Sequence, residues 1–324
     1  MKTIRSNISR RDFLKQSSAG IIGLSSIGFF SLCKQQKFDK MPMRTLGKTG
    51  LEVSILSFGG GSQFLKNKDG DWESILEKAV ESGINFFDTS SGYQWGASMS
   101  SEERFGRILP KYRDNIIIST KFESRKPDEA KKEIERSLKH MRTDYIDILM
   151  IHSIEPSEDI AVLEKGVYKM MNQLKDEGVV RFIGFSCMNS SQKSKELIEK
   201  LDIDVALLAM NPTKYGDFAE VALPAANKKN VGVIAMKVMR NIVGKEATPG
   251  ELLQYAWTQP GVATSMIGHF GRETLLENIR IVNKFVSEKK VEINRKTLET
   301  RLSHLAGPHV LCWARPGYHD GMVA

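Results

Sequence analysis

Seven short apolar runs recur along this chain, and their alternation with charged, helix-periodic segments is the feature that most limits its fold. The runs are "INFFDTS" (84–90), "NIIISTKF" (115–122), "DYIDILMIHS" (144–153), "VVRFIGFSC" (179–187), "IDVALLAMN" (203–211), "VGVIAMKVM" (231–239) and "ATSMIGH" (263–269). They are apolar throughout rather than at every second residue, the pattern of parallel strands covered on both faces. Between them lie segments such as "DEAKKEIERSLKHM" (128–141) and "AVLEKGVYKMMNQLKDEG" (161–178), whose apolar residues recur at helical spacing. Ahead of the runs, "MRTLGKTGLEVSILSFGGG" (43–61) reads as a hairpin turned at Gly47 and Gly50, then one more strand entering a glycine cluster. Eight strand–helix units imply an α/β fold, a (β/α)8 TIM barrel with an N-terminal β-hairpin and a C-terminal extension. A doubly wound sheet is the structural alternative. Gly59–Gly61 lacks the GxGxxG spacing such a sheet uses for dinucleotides, which weakens it.

The organisation expected is a signal over 1–33, a linker over 34–42, a barrel over 43–290 and the extension over 291–324. "SRRDFLK" (Ser9–Lys15) matches a twin-arginine export signal, and Gln16–Cys33 behind it is uncharged and mildly apolar. "FSLC", ending at Cys33, resembles a lipoprotein cleavage box with Leu32 where a small residue is usual. Lipidation at Cys33, plain cleavage and a retained anchor stay open, although a bilayer span needs about 20 apolar residues. The expected location is periplasmic or membrane-anchored, with the translocase as an export partner and no membrane contact beyond signal or lipid. Twin-arginine export carries folded proteins, often with a cofactor already inside.

Charge follows the same division. The whole chain carries +8, but residues 1–33 hold five basic side chains against Asp12 alone, which accounts for +4 of it. The remaining +4 is dispersed, with no basic run interleaved with aromatics, so nothing suggests nucleic acid as a partner. Three scattered cysteines and six histidines without an HExxH pattern point to no disulfide framework and no metal site.

Barrel chemistry sits at the C-terminal ends of strands. The polar residues that end the runs are Asp88, with Tyr93 on the loop beyond, then Lys121, His152, Ser186, Asn211 and Lys237. Any one of them has the bland explanation that strand ends meet solvent. An Asp, a Tyr, a Lys and a His from three successive units can converge on a single pocket. A free phenol has a pKa near 10, too high for efficient proton exchange at neutrality, and an ammonium beside it lowers that value. A carboxylate keeps the ammonium charged and aimed, and a histidine orients a substrate oxygen. The set suits protonation of a carbonyl oxygen, offers no nucleophile for hydrolysis, and requires a hydride from a cofactor.

From about Met43 to Val286 the chain resembles the aldo-keto reductases. The resemblance is carried by "GINFFDTSSGY", "SSEERFG", "IIISTK", "SLKHMRTDYIDILMIH", "LKDEGVVRFIGFS", "VGVIAMK" and "IGHFGRETLLEN", in family order. Met141-Arg142 stands where the family usually has Leu-Gly. The resemblance implies Tyr93 as general acid, Lys121 and Asp88 tuning it, and His152 orienting the carbonyl of an aldehyde or ketone. It implies a reduced nicotinamide, NADPH with NADH as an alternative, held by Gly60, Gly61, Ser186, Asn211, Met236, Lys237, Gly268, Arg272 and Asn278. The cofactor side departs from the pattern. Cys187 replaces the asparagine after Ser186, Leu207 a glutamine, and Met236 the aromatic that stacks on the ring. Gly268 and Thr274 stand at positions usually basic, leaving Arg272 to reach a 2′-phosphate. Lys237 faces either the cofactor phosphates or solvent, and Trp95 is expected in the pocket wall. Trp313 and Tyr318 either close the pocket or pack the tail. Cys187 reads as a buried, inert thiol. Two other functions remain: a nicotinamide-binding sensor or accessory subunit, and an isomerase-like barrel using the cofactor transiently.

Overall fold

The computed structural model describes residues 41–287 and 293–320. The expected export signal, its expected end at Cys33 and residues 34–40 of the expected linker lie outside the described residues. Strands β1 (Met43–Thr45) and β2 (Glu52–Ser54) form the antiparallel hairpin, with Gly47 and Gly50 both at positive φ in its turn. The expected eight-stranded parallel barrel follows: β3 (Leu56–Gly59), β4 (Phe86–Asp88), β5 (Ile117–Phe122), β6 (Ile146–Ile151), β7 (Val180–Cys187), β8 (Val205–Ala209), β9 (Gly232–Met236) and β10 (Val262–Ile267). Each strand pairs in parallel with the next, and β10 closes on β3 with Ser265 opposite Leu56. The doubly wound alternative is thereby excluded.

Every residue of β3, β4, β5, β6, β8, β9 and β10 is buried, which is why their runs carry no polar alternation. The outer layer includes α1 (Asp71–Glu81), α2 (Ser101–Ile108), α3 (Pro127–Met141), α4 (Lys169–Asp176), α5 (Ser191–Lys200), α6 (Phe218–Lys228), α7 (Pro249–Trp257) and α8 (Arg272–Ser287). Local chemistry fixes where several begin. Ser100 and Glu103 form a reciprocal capping box at α2, and Thr248 and Glu251 form another at α7. Helix α2 lies so close to α3 that a Cβ on Gly106 would run into the His140 carbonyl, so only glycine fits there. At the end of α3, Arg142 takes the left-handed conformation (φ 52°) that a family glycine would adopt without strain.

The hairpin seals the N-terminal end of the barrel, where Arg44 donates to the carbonyls of Trp257 and Val262 at 2.8 Å each. The opposite end is crossed by the C-terminal segment. Helix α9 (Arg295–Leu302) is tied to α7 through Tyr255 Oη donating to Glu299 Oε1 at 2.7 Å. Beyond it, Leu311, Cys312 and Trp313 are buried. Cys312 accepts from Arg240 Nε at 3.1 Å and its N–H donates to Asn241, both in the segment after β9. The extension therefore folds back over the C-terminal ends of the strands.

Candidate active site

Strand β4 terminates in Asp88 because its neighbour supplies what a buried carboxylate requires. Asp88 Oδ1 accepts from Ser119 Oγ and Oδ2 from Lys121 Nζ, both at 2.6 Å. Lys121 is fully buried and donates also to the Thr89 carbonyl at 2.7 Å. A buried ion pair is tolerable only when its remaining hydrogen-bonding capacity is used, as here. The polar "TSSG" stretch then stitches the chain to β5: Thr89 N–H donates to Ser119 O, and Ser91 N–H to Lys121 O. A turn in which Tyr93 N–H donates to Ser90 O brings the phenol inward until it is only 5% exposed. Lys121 Nζ lies 5.1 Å from the centroid of its ring. From the end of β6, His152 meets that ring edge-on with centroids 5.6 Å apart. Its Nδ1 lies 3.2 Å from both Ser90 Oγ and Glu123 Oε1, which fixes the ring and leaves Nε2 facing the cavity.

One oxygen occupies the point where Tyr93 and His152 converge, and it belongs to the protein. Asp320 Oδ2 accepts from Tyr93 Oη at 2.8 Å and lies 3.3 Å from His152 Nε2. Its Oδ1 is paired with Lys237 Nζ and lies 3.3 Å from Tyr318 Oη. Burial would raise the Asp320 pKa, but Lys237 and His152 outweigh it and hold the carboxyl well below its ordinary value. The expectation of a lowered Tyr93 pKa does not hold in this arrangement. Burial first, then the Asp320 and Asp88 charges, push the phenol well above its ordinary value. Lys121 spends its donors on Asp88 and Thr89 rather than on the phenol oxygen. Tyr93 is thus held as a proton donor.

A groove of about 460 Å³ leads from Tyr93 and Asp88 past Met236 and Leu207 to Gly268, Thr274 and Asn278 at the start of α8. Gly61 lines it beside Tyr93, where a Cβ would meet the ring at 3.5 Å, an ordinary contact. Arg240 lines its middle and donates to Ser62 Oγ at 2.8 Å. The first turn of α8 presents a positive helix end at the far side, a favourable place for phosphate. An elongated groove with an apolar end and a cationic middle suits a nicotinamide dinucleotide, and the residues present fit one.

The structure distributes the remaining expected residues unevenly. Gly61, Met236, Lys237, Gly268 and Asn278 line the groove. Gly60, Ser186, Asn211 and Arg272 are not among its lining residues. The Gly60 N–H donates to Asp88 O, and Gly60 faces Ser101. Ser186 Oγ accepts from Ser153 N–H at 2.8 Å, while Asn211 Oδ1 accepts from Thr213 and its amide lies 3.4 Å from Lys237 O. The apolar end of the groove is therefore surfaced by Leu207 and Met236, with these two polar side chains bonded elsewhere. Trp95 is 39% exposed on the outer loop at positive φ, away from the groove wall. Cys187 is buried, with its thiol directed to the carbonyls of Ile154 and Ser190 and its pKa raised by burial. Asp320, Arg240 and the half-exposed Phe270 at the groove mouth were not expected from the sequence. Asp320 lies 227 positions from Tyr93, in a tail without periodicity, so no local signal marks it.

Comparison with known proteins agrees with this geometry. The family described as "Aldo/keto reductase family" matches residues 56–248, more than half of the chain. An uncharacterized oxidoreductase, YqkF of Bacillus subtilis, is 27% identical over 292 residues, spanning 75% of this chain and 92% of that protein. L-galactose dehydrogenase of Arabidopsis thaliana is 36% identical over 166 residues, 45% of this chain and 49% of its own. The crystal structure of a putative aldo-keto reductase from Pseudomonas aeruginosa superposes with a TM-score of 0.63 at 26% identity, covering 75% of this chain and 95% of that one.

Proposed function

The chain belongs to the aldo/keto reductase family, an NAD(P)-dependent carbonyl-reducing oxidoreductase, and from that premise we propose that Tyr93 protonates the oxygen of a small aldehyde or ketone reduced at the expense of NADPH. The observation that carries the reading is the convergence of Tyr93 Oη and His152 Nε2 on a single oxygen, at 2.8 and 3.3 Å. A carbonyl oxygen in that position is polarised by two donors at once, the arrangement that stabilises negative charge as it develops. Tyr93, kept protonated by burial, delivers its proton to an oxygen that becomes alkoxide-like and far more basic than a phenolate. The Lys121 ammonium beneath the ring compensates the charge left behind, and Asp88 holds that ammonium in place. The bound nicotinamide supplies the hydride. Met236 and Leu207 would hold its ring, Arg240 its phosphates, and Asn278 its adenosine end; the choice of NADPH rests on the sequence position of Arg272 at the start of α8, outside the groove lining.

The reading includes export through the twin-arginine pathway, with periplasmic residence or an anchor at Cys33; it rests on residues 9–33 of the sequence alone. The assignment of Tyr93 is tested by Tyr93→Phe. Carbonyl reduction should fall by about 10²–10⁴, while NADPH still binds as measured by fluorescence titration. Unchanged turnover would overturn it. A second reading, a nicotinamide-binding barrel with little turnover, is favoured by the docked Asp320 and the apolar nicotinamide end. It requires that a bound cofactor stay reduced against a carbonyl panel even in Asp320→Ala.

A further inference from the structure

The Lys237 ammonium is built into the barrel, yet nothing in the barrel neutralises it. Lys237 follows β9 in the left-handed conformation (φ 57°), a strained choice for a lysine that directs it over the strand ends. Its side chain is 7% exposed, and burial lowers its pKa. An ammonium so placed is costly to desolvate unless paired. Among the described residues its only ion-pair partner is Asp320; Tyr318 Oη lies 3.1 Å from it and the Trp313 ring centroid 6.0 Å away, and all three belong to the C-terminal segment. When that segment lifts, the ammonium faces the cavity beside the Tyr93–His152 pair without a counter-charge.

The Asp320 carboxylate records what such a cavity accepts. One oxygen sits on Tyr93 and His152, the other on Lys237 and Tyr318. We propose that Lys237 is a specificity-determining residue and that the substrates are 2-oxo carboxylates, with the 2-hydroxy acids as their reduced counterparts. The keto oxygen takes the place of Asp320 Oδ2, and a carboxylate oxygen on the adjacent carbon takes the place of Oδ1, a pair only slightly wider than the two oxygens of a single carboxylate. The inference rests on the reading of Tyr93 and His152 as the carbonyl site; it adds a recognition element and no chemical step. A simple aldehyde satisfies one half of the site and leaves the ammonium unpaired, whereas a 2-oxo acid satisfies both.

The test uses the full-length, NADP-loaded Asp320→Ala protein, in which the site is vacated, and the same protein carrying Lys237→Met or Lys237→Arg. Calorimetric titration compares oxamate, an unreactive 2-oxo acid isostere, with uncharged oxamide. Oxamate should bind about thirtyfold more tightly; Lys237→Met should abolish that difference and Lys237→Arg should keep part of it. In parallel, the ratio of kcat/KM for phenylglyoxylate to kcat/KM for benzaldehyde should fall about thirtyfold in Lys237→Met. Equal binding of oxamate and oxamide overturns the proposal without recourse to any lysine variant. So does an equal loss for both carbonyl compounds, or an effect of Lys237→Met confined to the dissociation constant of NADP. Turnover of benzaldehyde without an oxamate preference defeats this inference alone. Tight oxamate binding with no carbonyl reduced supports the recognition site and defeats the assignment of reductase chemistry to it.

Discussion

Asp320 Oδ2 sits on Tyr93 and His152, where the proposed function puts the carbonyl oxygen, so on that proposal the docked C-terminal segment and substrate exclude each other. Replacing Asp320 by alanine removes every contact that fixes the carboxylate: Tyr93 at 2.8 Å, His152 at 3.3 Å, Tyr318 at 3.3 Å and the pair with Lys237. A hydrogen bond to a charged group contributes about 1.5–3 kcal/mol. These contacts share one carboxylate whose desolvation opposes them, so a net docking contribution of about 3 kcal/mol is a restrained value. It corresponds to about a 10²-fold change in the ratio of docked to open segment. Apparent affinity scales with the fraction of protein that is open, so the apparent KM should fall by up to about 10². The kcat should hold within a fewfold, because the open enzyme is the same species in both proteins. Initial rates against a carbonyl panel, for wild type and Asp320→Ala under identical NADPH, measure both constants. A KM that does not move, or a kcat that falls while KM stays, would refute exclusion by the docked carboxylate.

Two buried ionisable groups make predictions about stability. Glu102, at the start of α2, accepts from Thr120 Oγ1 at 2.6 Å, while its other oxygen makes no hydrogen bond among the described residues and lies 3.8 Å from His140 Nδ1, and burial raises its pKa to about 7. The folded protein therefore holds this proton when the unfolded chain has released it, and stability declines as pH rises from 4.5 to about 7. The rise corresponds to about 3 kcal/mol, so Glu102→Gln should flatten the decline and stabilise the protein at pH 8, read by urea unfolding across pH. An unchanged pH profile would count against it. His269 is wholly buried against Phe58, with ring centroids 5.3 Å apart and neither ring nitrogen hydrogen-bonded among the described residues, and burial lowers its pKa to about 3. Unfolding releases it to take up a proton below pH 6.5, so stability should decline as pH falls from there, by up to about 5 kcal/mol near pH 3. His269→Phe should remove that part of the acid sensitivity; an identical acid midpoint would contradict the assignment.

The sequence by itself determined the barrel and the meeting of Asp88, Tyr93, Lys121 and His152 at its open face, and the reason is that both are encoded locally. A strand buried on both faces must be apolar throughout and must end in polar residues at the open face, so "INFFD", "IIISTK" and "IDILMIH" display their functional ends directly. Asp88, Tyr93, Lys121 and His152 needed only closure of the barrel to meet. Side-chain direction at the strand ends was decided in the folded protein. Ser186 and Asn211 lie at the expected positions, yet their polar atoms are claimed by Ser153 and Thr213 rather than turned to the groove. The pKa of Tyr93 likewise depends on burial and on which oxygens Lys121 reaches, neither of which a motif records. Asp320 belongs wholly to the tertiary structure. A polar tail carries no period, and only the path of α9 and the burial of Leu311–Trp313 bring that carboxylate across the mouth of the barrel onto Tyr93, His152 and Lys237.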